Sequence, residues 1–429
     1  MELEQRLIRH ILEPFGPLVQ SAGISVYNQN VTLQQIKLDT GLKAAQVRQA
    51  LIVLIHHNLV EFHEAKYKFD LINAFYRLLF PHFVFRCIQM LGQLAGDILL
   101  NVLQNGRMNL EDFDKECREV VDLLLEKKFL KVVSDKEHDS PKKVKTEAKQ
   151  VCQGNFEKLF IIVRDNLITN YTKRKHGESG SELVKTILNA NANSPLWYDN
   201  TVTYPISIVQ IRQEFPKEVK LLVEYDEKTV RKDEISEYLH SLCNGFVRKA
   251  DQHKYQIDLS KAREDICLEY IRQSIVGKLG SLSMRVFNIL LKESFLEEKQ
   301  VAKKSMIGVK EVRAVLFSLF KNKFIQLQQV PKSADHAPNR SIFLWTVDIN
   351  QTKSSFIDFL KKSLVNLSDR IKFEKENDSL AYERMSVSEE NLTKNELSLV
   401  QNLRLRLERL EYEYLRLIEF WSVFIPVQK

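Results

Sequence analysis

The sequence predicts a mainly α chain with small β wings: four tandem helical modules, each closed by a short hairpin, followed by an antiparallel coiled-coil hairpin. Three observations predict it. Glycine and proline are scarce, 13 and 10 in 429 residues, well below their usual shares of about 7% and 5%. A chain so poor in turn residues is a chain of helices, and it has little material for the glycine loops that cradle phosphates in doubly wound folds. One amphipathic pattern recurs four times, and after residue 350 two heptad runs take over.

The recurring pattern is a helix, two or three polar residues, a bulky apolar pair and then a polar-alternating strand. Its instances are LIVLIHHNLVEFHEAKYKFDL (51–71), VVDLLLEKKFLKVV (120–133), YLHSLCNGFVRKADQHKYQIDL (238–259) and VLFSLFKNKFIQLQQV (315–330). The pairs Leu59–Val60, Phe129–Leu130, Phe246–Val247 and Phe324–Ile325 come into register. At each pair the apolar period changes from about 3.6 to 2, which marks a helix running into a strand. Upstream lies a shorter helix and a break, Asp39-Thr40-Gly41 in the first copy and Ile307-Gly308 in the fourth. Helix, glycine-bearing turn, second helix and hairpin describe a winged helix-turn-helix. The expected modules are winged helix 1 over 1–72, winged helix 2 over 73–133, winged helix 3 with an insertion over 156–260, and winged helix 4 over 261–350. Between the second and third, 134–155 reads as a charged, solvated linker, and NYTKRKHGESGSE (170–182) as an exposed loop.

The tail, 351–429, is expected to be the coiled-coil hairpin. Ile357, Leu360, Leu364, Leu367 and Ile371 form one heptad run, and Val400, Leu403, Leu407, Leu410, Tyr414, Leu417, Trp421 and Phe424 form the second. Sustained alternation of three and four residues is the seam of a coiled coil. Leu403, Leu407, Leu410, Tyr414, Leu417 and Trp421 are the candidate surface for partner helices. A helix packed into a single globular core is the plainer alternative.

Several function classes lack material. The chain has no P-loop, HExxH, GxSxG or kinase motif, and neither a catalytic residue, a metal site nor a cofactor is expected. The five cysteines are spread and never form CxxC, which fits neither a disulfide framework nor a zinc ribbon. The opening MELEQRLIRHILEPFG lacks the apolar core of a signal peptide, so a reducing, soluble compartment is expected. Of ten histidines only His56-His57 are close, and adjacent helical side chains diverge, so capping and packing is their expected role. VGKLGS (276–281) matches the short clamp of KH modules, but its helical surroundings suit that fold poorly.

Charge carries more information. Sixty-three Lys and Arg against 56 Asp and Glu leave a mild +7. From 299 to 323 there are seven bases and one acid, Glu311, a local +6. Lys303, Lys304, Lys310, Arg313, Lys321 and Lys323 are the candidate nucleic-acid contacts. Lys310 and Arg313 open the second helix of the fourth helix-turn-helix, where such a motif meets phosphates or base edges. A solvated face, or one meeting an acidic protein, is the competing reading.

The segment QVPKSADHAPNRSIFLWTVDI (329–349) resembles the signature of the winged-helix-repeat subunit of eukaryotic RNA polymerase III, the third-largest-subunit family related to the initiation factor TFIIE. Pro331-Lys332, Asp335-His336-Ala337-Pro338, Arg340 and the strand Phe343–Val347 carry the resemblance, and the preceding KQVAKKSMIGVKEVRAVLFSLFKNKFIQLQ is similar too. Lys332 and Arg340 in this segment join the candidate nucleic-acid contacts. The resemblance implies a non-catalytic nuclear subunit in a heterotrimer with two smaller subunits, docked on the clamp of the largest subunit. It further implies a part in promoter opening for tRNA and 5S rRNA genes, and sequence-independent contact with single-stranded DNA. Two departures are plain. Linkers and hairpin tip are short, and the first wing, His63 to Lys68, lacks a glycine-bearing basic tip, which weakens the case for DNA contact there. The rival readings are a free-standing sequence-specific winged-helix regulator and, further off, an enzyme with an unrecognised site.

Overall fold

The computed structural model describes residues 2–133, 150–191, 201–215, 235, 238–239, 242, 245–251, 253–331, 341–387 and 392–424. The chain is mostly helical with small sheets. It divides into two compact units, residues 1–167 with 363–425, and residues 168–362 with 426–429.

In the first unit the amphipathic helix Glu2–Leu12 buries Leu7, Ile8, Ile11 and Leu12 against the helix Pro17–Asn28. The pair Leu33–Thr40 and Ala44–His56 follows, hinged at Gly41, whose φ of +69° is left-handed and suits glycine. Thr32 starts this pair with a capping box against Gln35. The hairpin Val60–His63 and Lys66–Phe69 closes the stretch. Next come Leu71–Leu78, Phe80–Leu91 and Gln93–Asn105. The last two pack so closely that a Cβ on Gly96 would lie 2.2 Å from Ile88 Cγ1. Helix Lys115–Glu126 leads into a three-stranded sheet. Its central strand is Val151–Gly154, which pairs with both Arg107–Asn109 and Leu130–Val133. Residues 151–154 therefore leave the expected linker and complete the second sheet: Cys152 and Gln153 are buried, so this short run behaves as core despite its polar approach. Residues 134–149 lie outside the described residues.

Residues 363–425 belong to this unit. Asp369 receives Arg6 (2.8 Å) and His10 (3.1 Å), Lys372 reaches Glu13 (2.6 Å), and Trp421 meets Phe75 edge-on with centroids 4.0 Å apart. Helices Ile349–Asn377 and Lys394–Ser422 are cross-linked by Lys375–Glu411 (3.4 Å) and by Arg406, which reaches the buried Glu374 (3.1 Å) and also Asp378.

In the second unit, residues 170–182 are not the loop their composition suggests. They lie within the helix Phe156–Asn191, which kinks at Gly177 (φ +74°). Ser179, Gly180 and Ser181 look like loop residues but are buried, and a Cβ on Gly180 would sit 3.2 Å from the Tyr238 ring. Small side chains here serve close packing. The short strand Ile206–Ser207 and the hairpin Val247–Asp251 and Lys254–Ile257 form one sheet. Helices Leu259–Leu279 and Ser281–Glu293 follow, broken at Gly280 (φ +86°), so VGKLGS is a helix junction. Glu298–Ser305, Val309–Lys321 and the hairpin Gln326–Pro331 with Ser341–Thr346 follow.

All eight residues of the four aligned apolar pairs are buried, and the first, second and fourth pairs stand at the end of a described helix. Three share one stop. Leu59, Phe129 and Phe324 donate backbone N–H to Leu54, Leu124 and Leu319, at 2.9, 2.9 and 3.0 Å. The residue before each, Asn58, Lys128 or Lys323, has φ near +60°. That is a Schellman turn built without glycine.

Candidate nucleic-acid interface

The helix pair Glu298–Ser305 and Val309–Lys321 opens with a capping box between Glu297 and Gln300. Its turn departs from expectation in one detail: the left-handed residue is Met306 (φ +55°), while Gly308 (φ −60°) is the N-cap of the second helix. That helix buries Val312, Leu316 and Leu319, so geometry turns Lys310, Arg313, Ala314, Phe317 and Lys321 outward as one stripe. Lys303, Lys304, Lys310, Arg313, Lys321 and Lys323 are all exposed. Lys332 and Arg340 lie outside the described residues.

The bases are not equivalent. Arg313 makes a two-pronged bond to Glu298, from Nη2 at 2.7 Å and Nε at 3.0 Å, and this carboxylate raises the guanidinium pKa. Lys304 pairs with Glu293 at 2.8 Å, and the ammonium holds that carboxyl below its ordinary range. Among the described residues Lys299, Lys303, Lys310, Lys321 and Lys323 have no acidic partner. Beside the stripe, the wing packs Trp345 edge-on to Phe320 (centroids 6.0 Å) and bridges to Leu296. Sequence reasoning missed Phe317, which is 63% exposed, and Met306, which is 91% exposed. The signal for Phe317 was present: it stands seven residues after Lys310, four after Arg313 and four before Lys321, which is the spacing of a shared helical face.

The candidate partner residues in the tail are placed differently. Leu403, Leu407 and Trp421 are buried by the chain itself, and Leu410, Tyr414 and Leu417 are half-buried. Burial pushes the Tyr414 hydroxyl up to about 12. The seam is thus largely spent inside the chain. Leu399, Leu405 and Tyr412 are the apolar residues that the same helix exposes.

His56 and His57 end a helix and pack. His56 Nδ1 lies 2.9 Å from the Asn105 carbonyl, and the His57 ring sits edge-on to Phe15. Among the described residues no group of three His, Cys, Asp or Glu side chains comes together as a metal site, and no helix is long and apolar enough to cross a membrane. Buried Cys87 and Cys267 have thiols pushed up to about 11 by burial, which leaves them protonated and unreactive at neutral pH.

Three domain families match in succession along the chain. Residues 6–65 match the RNA polymerase III subunit RPC82 helix-turn-helix domain, residues 74–266 match RNA polymerase III subunit RPC82, and residues 271–347 match the POLR3C C-terminal winged-helix domain. The chain is 26% identical to the DNA-directed RNA polymerase III subunit RPC3 of Mus musculus over 86% of its own length and 84% of the mouse protein. It is 24% identical to that of Homo sapiens over the same shares. A further relative is the RPC3 subunit of Dictyostelium discoideum, 25% identical over 56% of this chain and 38% of that protein.

Proposed function

The chain belongs to the RPC82/RPC3 family of RNA polymerase III subunits, and we propose that it serves that polymerase as a non-catalytic nuclear subunit. In this reading four winged-helix modules and a C-terminal coiled-coil hairpin form a docking scaffold. It joins two smaller subunits in a heterotrimer, sits on the clamp of the largest subunit and assists promoter opening. The succession of three family domains in order along one chain supports it most directly. Several small modules on one chain bind multivalently, so weak contacts sum to a tight one.

DNA contact is assigned to the fourth module. Lys303, Lys310, Lys321 and Lys323 would neutralise phosphates without reading sequence, with Lys332 and Arg340 from the adjoining segment. Lys304 and Arg313 join them only by exchanging Glu293 and Glu298 for phosphate. In the tail, the half-buried Leu410, Tyr414 and Leu417 form the rim open to partner subunits, while Leu403, Leu407 and Trp421 hold the helix in place behind them.

Affinity purification of the tagged chain from nuclei tests the assignment. The polymerase III core subunits are expected in stoichiometric amounts. Their absence, with the chain recovered alone and folded, defeats it in favour of a free-standing regulator.

A further inference from the structure

The outward stripe of helix Val309–Lys321 carries a ring that packing does not explain. Phe317 is 63% exposed although the helix already fills its core with Val312, Leu316 and Leu319 on the opposite side. Its neighbours along the stripe are Lys310, Arg313, Ala314 and Lys321. Glu311 lies about 120° around the helix and faces elsewhere. Phe320, one turn on, already packs edge-on against Trp345 of the wing.

We propose that Phe317 is a stacking platform for one unpaired base of single-stranded DNA, with Lys310 and Lys321 gripping the flanking phosphates. The proposal deepens the DNA-contact reading above and rests on it. Lysine contacts to phosphate are blind to strandedness, because duplex and single strand both present them. Base faces differ: in a duplex they are covered by neighbouring bases, whereas an unpaired base offers a π-face to any exposed aromatic ring. Phe317 therefore supplies the strand selectivity that the lysines cannot. Charge complementarity selects this occupant. Phe317 is the most exposed large apolar side chain of the helix and stands among cations, with the less exposed Phe320 at its edge, and Glu298 is tied to Arg313 by the two-pronged bond. A polyanion with flat apolar faces fits both features. A protein helix would be met by a wide apolar seam, whereas here Val309 and Phe320 are only 42% and 44% exposed at the edge of a stripe dominated by cations. Ala314, one turn earlier, leaves room beside the ring for a base to lie flat.

The test is fluorescence anisotropy of the full chain with a labelled oligothymidylate of about 20 nucleotides, and with its duplex, from about 50 to 300 mM KCl. Phe317→Ala is expected to weaken single-strand binding about tenfold, by the same factor at every salt concentration, and to leave duplex binding unchanged. Phe317→Trp is expected to retain the affinity, and serves as the control for folding. Lys310→Ala with Lys321→Ala is expected to reduce the slope of log K against log salt by about 1.4. Equal single-strand affinity of wild type and Phe317→Ala overturns the proposal while the DNA-contact reading stands. So does an equal loss on single strand and duplex, because the ring would then act only through the fold. Unimpaired single-strand binding with polymerase subunits lost from the purified complex assigns the ring to a protein partner. A wild-type chain that binds neither probe sinks the DNA-contact reading and the platform together.

Discussion

His57 caps the C-terminus of helix Ala44–His56 with its ring enclosed by Phe15, His56 and Arg77, whose Nη1 lies 3.4 Å from Nδ1. Burial first, then the charges of Arg77 and His56, push its pKa from 6.5 down to about 4. In the unfolded chain the imidazole takes up a proton below its ordinary value, whereas in the folded chain it stays neutral until about pH 4. The unfolded state then binds more protons across that window. Stability is thus complete above about pH 6.5 and falls as the pH drops toward 4. Urea melts between these limits should show a shallower pH dependence for His57→Gln than for the parent chain. Equal slopes would mean that the ring protonates freely in the fold. The adjacent His56-His57 pair was legible from sequence as a packing feature, but the source of its perturbation was not, since Arg77 and Phe15 come from other helices. The local charge is altered by the fold in a similar way. The local +6 of residues 299–323 leaves out Glu293 and Glu298, which fold back onto Lys304 and Arg313. A window in sequence is not a neighbourhood in space.

Helix endings show how the repeat is written in the chain. The stop before the first, second and fourth sheets is a left-handed Asn58, Lys128 or Lys323, each followed by a buried apolar pair. The exits agree as well. Asp70, Asn155 and Asp258 return their N–H groups to Leu59, Phe129 and Phe246, at 2.8, 3.0 and 2.8 Å, and each caps the helix that follows. The apolar pairs were legible because burial at a change of period leaves a pattern. The stops were not, because Lys128 and Lys323 resemble any surface lysine, and a left-handed residue costs L side chains about 1–2 kcal/mol. Lys128 is exposed, so nothing but its backbone is at stake. Lys128→Gly should stabilise the chain by about 0.5–1 kcal/mol in urea denaturation, and Lys128→Val should destabilise it. A loss with glycine would show that the lysine side chain does more than fill the position. The stretch 170–182 fails for the opposite reason: Ser179, Gly180 and Ser181 carry loop composition but are buried, and Gly180 leaves room for Tyr238.

At the scale of the whole molecule, the heptad runs revealed which tail residues share a face, but periodicity cannot say what covers that face. The first unit supplies part of the cover. Trp421 is 3% exposed and stands edge-on to Phe75, and Arg6 and His10 of the first helix, with Glu13 just after it, are tied to Asp369 and Lys372. The N-terminal part of the first unit therefore depends on residues more than three hundred positions away for its core. Surface ion pairs of this kind contribute little individually, so the aromatic contact should dominate. Trp421→Ala is expected to cost about 3–5 kcal/mol, the range for emptying a buried aromatic site. In a double-mutant cycle with Phe75→Ala the two changes should be less than additive, with a coupling of about 0.5–1.5 kcal/mol from the edge-to-face pair. Amide exchange should locate the damage. Protection should fall in helix Leu71–Leu78 and persist in helix Val309–Lys321, which belongs to the other unit. Strict additivity with unchanged exchange in Leu71–Leu78 would mean that the tail merely rests on the first unit and leaves the seam available to partner subunits after all.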